Sequence, residues 1–154
     1  MSEAAQIANQ LHRAFNGDAW HGDSLFEILD GVSAVEAAER GIAGAHTIWE
    51  LILHIAAWDR AVLRRLRGSA IELSDAENFP PVSDTSDKAW HKALANLRSV
   101  HQELIDAVAA LPDSRLYEMV PGKEGAHYTF YYMLHGVVQH ELYHAGQIAL
   151  LKKI

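Results

Sequence analysis

The chain of 154 residues contains no cysteine. That absence excludes a disulfide framework, thiolate ligation of zinc and a cysteine nucleophile supplied by the chain itself. Any bound metal must rest on nitrogen and oxygen. Positive charge is also scarce: 13 Lys and Arg stand against 20 Asp and Glu, a formal net charge of -7. The one short basic cluster is Arg64, Arg65 and Arg67, so the field does not favour nucleic acid or anionic lipid. No run reaches the roughly 18 apolar residues of a membrane span. The opening MSEAAQIANQ has neither a cationic n-region nor an apolar h-region, and the expectation is a cytoplasmic protein with no membrane partner. Also missing are G-x-x-x-x-G-K-S/T, G-x-S-x-G and H-E-x-x-H, which withdraws support from nucleotide, serine-hydrolase and zincin chemistry.

What the chain does have is helical periodicity. Its length and 49% hydrophobic content predict one domain over residues 1–154 with a sizeable core. Ile7, Leu11, Ala14 and Phe15 recur at helical spacing over residues 3–15, and Gly17-Asp18 interrupts them. Leu25, Phe26, Ile28 and Leu29 resume the pattern between Asp23 and Asp30. Ser33 with Glu36, and Thr47 with Glu50, are capping-box pairs that open a short helix at VEAAER and a long one from Ile48 to about Arg67, with Gly68 as its stop. Residues 69–83, with Pro80-Pro81, read as a surface loop. A third long helix runs from Asp84 or Thr85 to Ala110, its apolar positions including Trp90, Leu94, Leu97, Val100 or His101, Leu104 and Val108. Pro112 to His127, with Pro121-Gly122 and Gly125, is a second irregular connection, and a fourth helix runs from about Thr129 to the end. Strand signals are weak. The fold class predicted is all-α, a four-helix bundle with long connections.

Chemistry concentrates in three of the 10 histidines. His140 and His144 are one helical turn apart and stand on one face, so they can offer two cis positions to a metal. His54 interrupts the apolar run IWELILHIAAW and is the candidate third ligand. A three-imidazole set leaves coordination positions open, as a catalytic site requires, and suits zinc, nickel, iron or copper. An ion of the zinc type brings the pKa of bound water to about 7. H-x-x-x-H alone is a weak motif, served as well by hydrogen-bonded core histidines.

The remaining polar candidates read differently. His135 turns about 140° from His140 and reads as packing or support. Glu141 reads as an exposed acid. Glu50 divides evenly between its capping box and a role orienting a ligand ring. His12, His91 and His101 read as surface residues, and His21 as a loop histidine. Trp20, Trp49, Trp58, Trp90, Tyr128, Tyr131, Tyr132 and Tyr143 read mostly as core or dimer packing, with one or two lining a pocket.

The segments AGAHTIWELILHIAAWDR and HGVVQHELYHAGQIALLKK resemble those of the DinB-like superfamily, small four-helix metalloproteins related to the YfiT-like metal-dependent hydrolases. The resemblance covers nearly the whole chain. It implies that His54, His140 and His144 bind a divalent metal ion, commonly nickel or zinc. It further implies hydrolysis or transfer of a low-molecular-weight thiol such as bacillithiol or mycothiol onto a small-molecule substrate, and a homodimer. The family name carries no implication of DNA binding. The alternative is a non-enzymatic, stress-related protein that binds a metal or a small ligand.

Overall fold

The computed structural model describes residues 1–122 and 128–154. Seven α-helices are found among them: α1 (Glu3–Asn16), α2 (Leu25–Leu29), α3 (Ala34–Ala38), α4 (Ile48–Leu66), α5 (Asp75–Asn78), α6 (Asp87–Ala109) and α7 (Phe130–Leu151). A 3₁₀ turn covers Asp113–Tyr117. Among the described residues there is no sheet, only an isolated bridge between Met119 and Thr129. The expected Gly125 and His127 of the second connection lie outside the described residues.

The four long helices close a ring in the order α1, α6, α4, α7, each packed on its two neighbours. Their inward stripes meet in one core that includes Ile7, Leu11, Ile52, Ile55, Leu97, Leu104, Leu134 and Ile148, all almost fully buried. Burying an aliphatic side chain of this size contributes about 1.5–3 kcal/mol before the entropy of ordering it. The short elements brace this ring: α2 lies on α1 and α7, and α3 and α5 lie on α4. Trp90 of α6 packs against Trp49 of α4 at 5.0 Å and donates its indole N–H to Val32 O at 2.9 Å. An apolar ring thereby fills the core while its one polar atom is satisfied.

Local chemistry sets the helix ends. Thr47 accepts from Glu50 N at 3.1 Å and Glu50 accepts from Thr47 N at 2.9 Å, so the expected capping box forms and fixes the start of α4. Gly68 follows its last turn at φ 93°, a conformation that a side chain would strain. The third long helix begins later than the expected Asp84 or Thr85, because the Ser86 hydroxyl accepts from Ala89 N and caps it. The 69–83 connection is not wholly irregular: Ser74 and Glu77 form another capping box around the single turn of α5. No described helix is long and apolar enough to cross a membrane.

Candidate metal centre

Two adjacent helices carry the three histidines. His54 lies two turns beyond the Thr47 cap on α4, and His140 and His144 lie mid-way along α7. Their side chains meet: His54 Nε2 is 2.9 Å from His140 Nε2, which is 3.1 Å from His144 Nε2. His54 and His144 are buried and His140 is half-buried.

The outer ring nitrogens explain which atoms are free to bind. His54 Nδ1 lies 2.8 Å from the Asn78 carbonyl oxygen, which only accepts, so Nδ1 carries the proton and Nε2 is bare. His144 Nδ1 likewise donates to Gln147 Oε1 at 2.6 Å, leaving its Nε2 bare. The His54 ring is stacked 4.1 Å from Phe79, whose other face carries His46 at 3.8 Å, and Trp58 meets His54 and His140 edge-on. Burial first, and then the neighbouring His144 and His54, push His140 down to about 3. Burial also lowers His54 and His144, against the hydrogen bonds from Asn78 and Gln147. At neutral pH the three rings are therefore uncharged and offer lone pairs.

This donor set fits a divalent cation. One proton on His140 Nε2 can serve only one of its two short contacts, whereas a cation satisfies all three nitrogens together. Bonds of about 2.1 Å separate adjacent nitrogens by about 3.0 Å in octahedral and about 3.4 Å in tetrahedral geometry; the separations of 3.1 and 2.9 Å lie just inside and just below the octahedral end of that range. Among the described residues this is the one cluster of metal-ligating side chains that converges so closely.

The nitrogens face a cleft of about 490 Å³, walled by Trp58, Val62, Phe79, Tyr132, Val137 and Tyr143 and reaching Arg65 and Tyr128. Such a concave, mainly apolar space beside a few polar atoms suits a small molecule. Trp58 and three of the four tyrosines thus border a pocket, while Trp49 and Trp90 are core and Trp20 is fully exposed.

Other residues fall elsewhere. The Glu50 carboxylate is engaged by Thr47 N, by Arg40 at 2.6 Å and by His46 at 3.3 Å, with no hydrogen bond to the three rings. The capping alternative therefore describes it. His135 packs 4.5 Å from Tyr131. His21 is exposed and borders a different cleft, between α1 and α7. His12 and His91 are exposed as expected.

Two expectations are corrected. His101 is fully buried, 2.8 Å from Asp59 Oδ2 and 3.3 Å from Leu11 O, and Glu141 is 1% exposed rather than solvated. Both lie on core-facing stripes, of α6 and α7 respectively, on the far side of those helices from solvent. Asn78, Phe79 and Arg65 were not marked by sequence. Asn78 reaches His54 through its backbone carbonyl, which no residue type reveals, and Arg65 sits in the short cluster with Arg64 and Arg67.

A family model of the DinB superfamily matches residues 18–148, which include all three histidines. Neither the search of curated proteins nor that of solved structures found a match. The all-α bundle, its buried histidine site and this match lead to one statement of kinship: the chain belongs to the DinB superfamily.

Proposed function

We propose that His54, His140 and His144 hold a divalent metal ion, nickel or zinc, and that the protein is an enzyme activating water or a low-molecular-weight thiol for attack on a small electrophilic substrate. The observation that carries this reading is the meeting of three Nε2 atoms, those of His54 and His144 bare, in an open, largely apolar cleft. A site built only to store or sense an ion has no use for that adjoining space. When bound, the ion lowers the pKa of a coordinated water or thiol toward neutrality.

The chain's own residues supply the rest. Asn78 O and Gln147 Oε1 fix the tautomer and orientation of two rings. Trp58, Phe79 and Tyr143 line the cleft beside the histidines with largely apolar surface, which strengthens electrostatic interactions there. No described carboxylate hydrogen-bonds to the three rings, so the proton released by the nucleophile leaves through the open cleft. The chain has no cysteine, and any thiol must arrive as a cosubstrate.

The test couples metal content to turnover. The metal-loaded protein is assayed against a chromogenic electrophile with and without a low-molecular-weight thiol; turnover only with thiol identifies transfer, and turnover without it identifies hydrolysis. His140→Ala is expected to lose the ion on exhaustive dialysis, followed by elemental analysis, and to lower activity by about 100-fold or more. Unchanged metal stoichiometry in that variant would defeat the ligand assignment.

A further inference from the structure

Arg65 is a buried cation with no anion beside it among the described residues. Its residue is 8% exposed, and its guanidinium donates from Nε and Nη2 to Ile71 O at 3.3 and 2.7 Å and from Nη1 to Tyr128 Oη at 3.1 Å. All of these acceptors are neutral, and no Asp or Glu among the described residues lies within ion-pair distance. The more exposed Arg40, Arg67 and Arg115 each pair with a glutamate. Buried charges are ordinarily compensated, because an unpaired one bears the full loss of hydration. Described residues engage three of the five guanidinium N–H groups, and the other two have no acceptor among those residues.

The position of this cation gives it a use. His54, Trp58, Val62 and Arg65 are spaced by four, four and three residues, so they share one face of α4 and line one cleft. At about 1.5 Å of rise per residue, the His54 and Arg65 backbones are about 16 Å apart along the helix, and the Arg65 side chain leans back over Trp58, 5.5 Å from its ring. A ligand with one end at the histidines therefore extends over an apolar floor toward a guanidinium. Tyr128 adds a hydroxyl whose oxygen accepts from Arg65 and whose proton has no acceptor among the described residues.

We infer that Arg65 and Tyr128 bind a carboxylate on an elongated small-molecule substrate or thiol whose reacting end sits at the three histidines. The inference rests on the metal-dependent reading above. A planar, singly charged carboxylate matches one guanidinium with two unused N–H groups, and the pairing is charge-assisted.

Isothermal titration of the zinc-loaded protein with sulfanylhexanoate and with its primary amide tests this. The acid is expected to bind the wild-type protein about tenfold or more tightly than the amide. Arg65→Gln should bring the ratio near one, and Tyr128→Phe should lower it in part. General loosening of the fold would weaken both probes alike and leave the ratio in place. Equal affinities in the wild type overturn the inference, as does a ratio unchanged in Arg65→Gln, which would place the carboxylate on the metal instead. In both cases retained zinc leaves the proposed metal centre standing, whereas a protein that holds no zinc overturns both readings. Should Arg65→Gln not fold, the wild-type ratio and Tyr128→Phe decide the matter.

Discussion

His101 joins α6 to α4 through Asp59 inside the core, and its ionisation ties stability to pH. Burial opposes its charge, but the Asp59 hydrogen bond and the carboxylates of Glu141 and Asp59 hold its pKa above the ordinary 6.5. The Asp59 contact at 2.8 Å is the effective one, since Glu141 is 3.9 Å away and burial pushes that acid up to about 8, keeping it protonated at neutral pH. A base with a raised folded pKa contributes stability that is complete below 6.5 and is lost as pH rises through the folded value. Glu141 acts in the same direction, because above about 4.5 the folded state keeps a proton that the unfolded chain releases. The melting temperature, followed by circular dichroism, should therefore fall from mildly acid toward alkaline pH more steeply in the wild type than in His101→Gln. That variant should also lose about 3 kcal/mol or more at neutral pH by stranding Asp59. Parallel pH profiles would refute the assignment. These two residues also show where sequence is blind. His140 and His144 were legible because their spacing places them on one face, and His54 because a polar ring interrupts an apolar run. His101 was legible only as an alternative to Val100 on that stripe, since the buried stripe of a globular helix is wide enough to take both.

Among the elements, α4 decides the position of the site, and its start depends on one side chain. Thr47 is buried and closes the capping box two turns before His54. Thr47→Ala should cost about 1 kcal/mol, read from the shift of the urea midpoint at constant slope; an unmoved midpoint would show that the helix start is held by other contacts. Sequence revealed α4 because cap, apolar stripe and glycine stop agree. It revealed α7 less fully: this helix is apolar almost all round, so turning away from the His140 face leads Glu141 into the core rather than into water. The turn of α5 was missed because four residues have no periodicity to detect, although the Ser74 and Glu77 pair was there to be read.

For the whole molecule, the three histidines join α4 and α7 across 86 positions of sequence. An ion held by both helices binds the folded chain and not the unfolded one, so saturation at a hundredfold excess over Kd should add about 2.7 kcal/mol of stability. Calorimetry of metal-loaded and dialysed protein should show the rise in Tm, and His140→Ala should abolish it; a variant stabilised as much as the wild type would locate the ion elsewhere. The ring of four helices was legible from four stripes and their stops, whereas the order of packing around the ring was not, because no stripe names its neighbour. The crossing from α4 to α6 is fastened to α4 twice, by Arg65 at Ile71 O and by His54 and Trp58 at Asn78. Substitutions along those intervening residues would accordingly shift the His54 ring while leaving all three imidazoles in the sequence, so this strap tunes the site from outside it.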